Sequence, residues 1–170
     1  MELSKRLEMV AGLVTQERIA DIGTDHGHVP VELVRRGTVK RALAMDVRKG
    51  PLSRAEESVA MAGLENRIET RLSDGLESCL PARRKQWSLR DGRRADDTYP
   101  GAGTSHVDSV EQWILSPQSE IPKMRKWLWN NGFPVEKEEM VFEDGKFYTI
   151  LSVGRMREDD REEQAGTIFL

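Results

Sequence analysis

Three carboxylates stand at matching places in the first half of the chain. Asp21, Asp46 and Asp74 each close a short run that reads as a strand. Ligands of open parallel sheets bind at the carboxyl ends of strands, so each Asp falls where a ligand would be met. A carboxylate can accept both hydroxyl protons of a ribose. Asp46 follows the first glycine loop by about 20 residues, the spacing at which a nucleoside's ribose is met. That loop belongs to the run Ile19-Ala20-Asp21-Ile22-Gly23-Thr24-Asp25-His26-Gly27. Its glycines let the backbone approach a ligand closely, and the helix that follows offers free N–H groups. The spacing is not that of a dinucleotide pyrophosphate loop, Gly-x-Gly-x-x-Gly. His26 and His28 flank Gly27, and a loop histidine can position a ligand or carry a proton. Simpler readings stand beside these. Asp46 can be a cap before Pro51, Asp74-Gly75 a common turn, and the histidines merely hydrogen-bonded loop residues. It is the recurrence of carboxylates at three successive strand ends that favours a binding site.

The elements that position these residues follow from periodicity. Residues 3–14 carry apolar side chains at helical spacing, with Leu3, Leu7, Val10 and Leu13-Val14 on one side. Residues 18–22 and 41–46 read as buried strands. Residues 29–36 read as a helix that Gly37 can end, and a second helix from Pro51 runs to about residue 62. Residues 68–72 alternate and predict a third strand. Strand and helix alternating at this spacing imply right-handed crossovers and a parallel sheet. Further on, 112–115 reads as a strand and 121–130 as a helix with Pro122 in its first turn. Residues 133–142 and 147–153 form an expected hairpin across Glu143-Asp144-Gly145-Lys146. The fold class is therefore α/β, a mostly parallel sheet with a C-terminal hairpin, and the domain is expected to span 1–153. Residues 154–170 read as a charged, frayed tail.

Residues 81–109 break this rhythm, with neither helical nor strand periodicity. A structureless segment of that length is unusual inside a compact domain.

Composition is that of an ordinary globular chain: 170 residues, 38% hydrophobic and 32% charged. No apolar run reaches the roughly 20 residues a membrane helix needs, and the N-terminus lacks a signal-peptide pattern. No membrane association is expected, and a cytoplasmic location is. The single Cys79 excludes an internal disulfide, and three histidines with one cysteine are too few for a zinc cluster, so no metal is expected. Net charge is −3, which excludes a globally basic nucleic-acid binder. Bases nevertheless cluster at Lys5-Arg6, Arg35-Arg36, Lys40-Arg41, Arg48-Lys49, 83–85 and 123–126. Gathered on one face they would hold phosphates; dispersed, they are solvated surface. Trp113, Trp127 and Trp129 read as core or as a stacking surface, with core favoured. No protein partner can be inferred.

The Asp-x-Gly of the first loop, with Gly27 after it, resembles the first motif of Rossmann-like methyltransferases. Longer matches narrow the resemblance. They are the N-terminal run from Leu3 to Ala11, the loop from Ile19 to Gly27, and Asp46-Val47-x-Lys49-Gly50-Pro51-Leu52. Leu72-Ser73-Asp74-Gly75-Leu76, Ile114-Leu115-Ser116-Pro117-Gln118-Ser119-Glu120-Ile121-Pro122, Arg125-Lys126-Trp127-Leu128 and Glu143-Asp144-Gly145-Lys146-Phe147-Tyr148 complete them. Together they resemble the bacterial tRNA (adenine-22-N1)-methyltransferases over about 1–80 and 110–153. The resemblance implies a Rossmann-like methyltransferase fold, S-adenosylmethionine as cofactor and tRNA as partner. It implies that Asp21, Gly23, Thr24, Gly27, Asp46, Asp74 and Gly75 hold the cofactor. It implies that Asp25 and His26 face the reaction, and that Lys5, Arg6 and Arg48 contact tRNA. A methyltransferase for another substrate and a non-catalytic cofactor- or RNA-binding remnant stand as alternatives.

Two departures from the family bear on activity. The family's C-terminal helical domain is not expected in this chain. Its Ile-Ala-Gly-Met-Gly-Gly motif after the fourth strand is missing as well. With freely chosen codons, 81–91 read one base early can give Gly-Glu-Ala-Glu-Ala-Val-Val-Ile-Ala-Gly. Residues 90–104 read one base late can give a Gly-Met-Gly-Gly motif followed by a helix. A shifted reading frame accounts for the segment, and the chain as written is expected to be a weak or inactive enzyme.

Overall fold

A computed structural model describes residues 2–74, the backbone of 88–91, and 110–154. The elements run α1 (Lys5–Gly12), β1 (Arg18–Ile22), α2 (His28–Arg35), β2 (Arg41–Asp46), α3 (Lys49–Met61) and β3 (Ile68–Leu72). They continue with β4 (Ser88–Asp91), β5 (Gln112–Leu115), α4 (Ile121–Asn130), β6 (Val135–Glu143) and β7 (Lys146–Val153). The strands form one sheet in the order β3-β2-β1-β4-β5-β7-β6. β1 to β5 are parallel, whereas β7 runs antiparallel to β5 and β6 antiparallel to β7.

β1 and β2 are buried along almost their whole length, as central parallel strands are. Alternate residues feed the two faces. Ile19, Ala42 and Ala44 pack with Val10, Val29, Val34 and Val59 of α1, α2 and α3. Ala20, Ile22, Leu43 and Met45 pack with Trp113, Met124 and Leu128 on the α4 side. β6 is an edge strand, and its Glu136, Lys137 and Glu138 are exposed charges that discourage further pairing. The hairpin turns at Asp144 (φ 50°) and Gly145 (φ 77°), the left-handed pair that a two-residue turn requires.

The α/β class, the parallel sheet and the hairpin agree with the sequence reading. Three details differ. α2 and α3 start one and two residues earlier than expected, at His28 and Lys49, and β6 starts at Val135. Trp129 is 55% exposed, whereas Trp113 is buried and Trp127 packs against the core. Trp129 lies one residue before the C-terminal end of α4, whose buried residues are Met124 and Leu128.

The third difference is β4. Periodicity gives no strand in 81–109, yet Ser88–Asp91 pairs with both β1 and β5. Position explains it. The facing edges of β1 and β5 need a hydrogen-bonding partner between them, and four residues suffice. The rest of 81–109, and with it most of the altered-frame reading, lies outside the described residues, as does Cys79.

Candidate functional site

Strand order reverses between β1 and β4: β2 and β3 are added on one side of β1, β4 and β5 on the other. A crevice at the carboxyl ends of the strands forms at such a point. The expected site residues on β1, β2 and β3 meet there.

Backbone hydrogen bonds join the three strand ends. The N–H of Thr24, in the loop after β1, donates to the carbonyl of Met45 at the end of β2 (2.8 Å). The N–H of Ser73, just past β3, donates to the carbonyl of Asp46 (3.0 Å). Asp21, Thr24, Asp46 and Ser73 are all buried. The Thr24 hydroxyl donates to Oδ2 of Asp21 (2.8 Å), which ties the loop to its own strand. Oδ1 of Asp46 accepts the Arg48 backbone N–H (2.9 Å), and this bond sets the plane of the carboxylate. Arg48 also brings its Nε to 3.8 Å from the same oxygen.

The loop is shaped by three left-handed residues: Gly23 (φ 71°), Asp25 (φ 51°) and Gly27 (φ 70°). Gly23 and Gly27 are glycine for different reasons. Around Gly23 a Cβ would meet nothing within 4 Å, so the backbone faces open space. Around Gly27 a Cβ would meet the Ala55 Cβ of α3 at 3.2 Å, so glycine lets α2 start close against α3. Asp25 and His26 lie at the exposed turn of this loop, with side chains 55% and 40% accessible. The His26 Nε2 lies 3.7 Å from Oδ2 of Asp25.

Asp74 is exposed beside buried Ser73, next to the end of β3. Gly75 lies outside the described residues. The expected tRNA contacts are not brought together. Arg48 follows β2, while Arg6 of α1 lies over the Tyr148 ring of β7, with its guanidinium carbon 5.1 Å from the centroid. β1, β4 and β5 separate the two strands. Lys5 borders a groove between α1 and α2 with Glu8, Glu32 and Arg36. Several other bases are paired: Arg36 with Glu8 and Glu32, Lys40 with Glu17, Lys123 with Glu120, and Arg125 with Glu138.

Sequence reasoning missed the Met45 carbonyl, Ser73 and Ala55. A backbone carbonyl has no sequence signal. Ser73 could have been found from its place beside Asp74. The described residues contain no group of three or more His, Cys, Asp or Glu able to hold a metal ion, and no helix long and apolar enough to cross a membrane.

A family model described as a methyltransferase domain matches residues 3–88 and 101–151, well over half of the chain. The crystal structure of Streptococcus pneumoniae Sp1610, a candidate tRNA (m1A22) methyltransferase, is 34% identical with a TM-score of 0.82. That match covers 92% of this chain and 72% of the other. The chain belongs to the methyltransferase-domain family, on the branch of the bacterial tRNA (adenine-22-N1)-methyltransferases. The tRNA (adenine(22)-N(1))-methyltransferase of Bacillus subtilis is 30% identical over 163 residues, which are 89% of this chain and 64% of that protein. The chain thus spans slightly less than two thirds of that relative. Sp1610 has also been solved in complex with S-adenosyl-L-methionine. That structure is 31% identical with a TM-score of 0.79, covering 92% of this chain and 74% of the other.

Proposed function

We propose that this chain transfers a methyl group from S-adenosylmethionine to N1 of adenine-22 in tRNA. The observation that carries the reading is the joined carboxyl edge of β1 and β2. Two buried carboxylates, Asp21 and Asp46, sit at adjacent strand ends linked through Thr24 and Met45. The naming of the relatives supports methyl transfer over a non-catalytic remnant.

The residues fit the cofactor's chemistry. Its sulfonium and ammonium groups are cationic, and the buried Asp21 places negative charge behind the loop that would meet them. Gly23, with open space beside it, lets the backbone come close, and Thr24 and Gly27 hold the loop's shape. Asp46 is oriented by the Arg48 N–H and would accept the ribose hydroxyls. Asp74 and Gly75 would border the adenine. When bound, the cofactor supplies an electrophilic methyl and takes the departing electron pair on sulfur.

The acceptor N1 carries a lone pair at neutral pH, so no base need remove a proton there. Alkylation leaves positive charge on the adenine ring. Asp25 and His26, exposed at the loop's turn, are the described side chains we assign to that ring. The Asp25 carboxylate would offset the developing charge, and a His26 ring nitrogen would accept a hydrogen bond from the exocyclic amine. Lys5, Arg6 and Arg48 would contact tRNA phosphates at separate places. The reaction would take place in the cytoplasm, where tRNA is found.

The test is methyl transfer to unmodified tRNA, with the product mapped by mass spectrometry and reverse-transcription stops. The expected product is 1-methyladenine at position 22. A methyl group on another base, or on free adenosine alone, would overturn the reading.

A further inference from the structure

The passage from β1 into α2 carries two histidines, one in the loop and one at the start of the helix, and the function proposed above uses only His26. The His26 and His28 rings are stacked, with centroids 5.1 Å apart and planes 11° from parallel. In a helix, side chains two apart in sequence do not face each other. The left-handed backbone of Gly27 between them makes the reversal that brings the rings together.

The two rings are held very differently. His28 is half-buried and is the first residue of α2. Its backbone is fixed on one side by the close approach of Gly27 to Ala55 of α3. On the other it is fixed by the helix itself, where the Val31 N–H donates to the Gly27 carbonyl (3.1 Å). His26 sits in the exposed turn, and its other polar contact among the described residues is the Asp25 carboxylate at 3.7 Å. An imidazole on such a turn would sample several rotamers. A flat ring anchored on a helix and lying parallel to it removes most of that freedom.

We propose that His28 is a positioning residue, whose ring holds the His26 imidazole in one orientation for the acceptor base. This rests on the reading of His26 as a group that meets the adenine. Orientation of a hydrogen-bonding group is worth most where it must already match the transition state. The requirement at position 28 is a flat face, so Phe should serve and Ala or Leu should not.

The experiment uses the full chain with His28→Ala, His28→Phe, His28→Leu, His26→Ala and the double variant His26→Ala/His28→Ala. In His28→Ala, kcat with tRNA is expected to fall about ten- to hundredfold, while the KM for S-adenosylmethionine stays within about twofold. His28→Phe should recover most of the loss, and the double variant should be no slower than His26→Ala alone. Independently of turnover, the His26 Cε1–H resonance, assigned from its absence in His26→Ala, should lose its ring-current shift in His28→Ala and keep one in His28→Phe. If His28→Ala does not fold, His28→Leu against His28→Phe decides, and equal rates and equal His26 resonances there overturn the proposal. A kcat loss with an unmoved His26 resonance also overturns it, because the effect would then not pass through His26. Absence of methyl transfer in the unsubstituted chain would count against the functional reading, and the resonance would still decide whether His28 restrains His26.

Discussion

Thr24 donates its hydroxyl proton to Oδ2 of Asp21 across 2.8 Å, with both side chains buried. The same residue sends its backbone N–H to Met45 on the next strand. One threonine therefore holds the loop to β1 and to β2. Hydrogen bonds to charged groups contribute about 1.5–3 kcal/mol each, and a buried acceptor that loses its donor costs a similar amount. Thr24→Val keeps the shape and removes the donor. Its urea-unfolding free energy should fall by about 1.5–3 kcal/mol, and Thr24→Ser should recover most of it. An unchanged midpoint in the Val variant would count against this role.

Asp46 tests the cofactor pocket. Asp46→Ala removes the proposed acceptor of the ribose hydroxyls and the group that takes the Arg48 N–H. Calorimetric affinity for S-adenosylmethionine should fall about ten- to hundredfold, matching 1.5–3 kcal/mol for charge-assisted bonds. Unchanged affinity in a folded variant would remove Asp46 from ribose binding.

Gly23 and Gly27 separate conformational strain from packing. Both are left-handed, so alanine costs about 1–2 kcal/mol at either. At Gly27 the added methyl also meets Ala55 at 3.2 Å, and overpacking adds about 1–3 kcal/mol. Gly27→Ala should therefore be the less stable variant by thermal unfolding. Gly23→Ala, with open space around its Cβ, should lose more in cofactor affinity than in stability. Equal melting temperatures for the two would mean that α2 shifts freely away from α3.

A pH dependence follows from the α1–α2 contact. Arg36 holds Glu8 through a two-pronged pair at 2.6 and 2.7 Å, which lowers the carboxyl pKa below its ordinary 4.5. A group whose pKa is depressed on folding stabilises above its unfolded value and loses that contribution as pH falls through the folded one. Glu8→Gln should therefore be less stable than the unsubstituted chain at pH 7, and the difference should shrink below pH 4.5. Urea titrations at neutral and acid pH measure it. Both groups are solvent-exposed, so salt should reduce the difference at neutral pH.

Much of the architecture was legible in the sequence because central strands and amphipathic helices write their burial into periodicity. Ala42 to Met45 are apolar throughout, Ile19 to Ile22 are apolar but for Asp21, and Asp144-Gly145 announces its turn. The site was legible where carboxylates and glycines end strands. What escaped depends on pairing in space. Gln112 reads only as the start of a strand. In the fold its buried amide accepts from Thr15 N–H and Oγ1, and donates to the Leu13 carbonyl and the Ser152 hydroxyl, pinning the chain after α1 to β5 and β7. The stacked histidines need a left-handed glycine between them, which spacing alone does not reveal. β4 has one apolar residue in four, so only the edges of β1 and β5 locate it.

The place of β4 sharpens the question of residues 81–104. It lies between β1 and β5, in the interior of the sheet, where parallel strands are covered on both faces. Such strands are apolar throughout, as β1 and β2 largely are. Ser88-Leu89-Arg90-Asp91 is not. The one-base-early reading, with its Ala-Val-Val-Ile-Ala run, has the polarity this position requires. The one-base-late reading supplies the glycine motif that the family carries after its fourth strand. Net stability of a domain is only about 5–15 kcal/mol, so the sequence as written should weaken the sheet beside the site. A version carrying the frame-restored 81–104 should unfold at higher urea. It should also methylate tRNA at least about tenfold faster than the chain as written, a barrier difference of 1.4 kcal/mol or more. Sequencing the coding DNA across this region should reveal the paired shifts. Equal turnover and equal stability of the two versions would instead identify 81–104 as a functional insertion, with β4 formed by the residues as they stand.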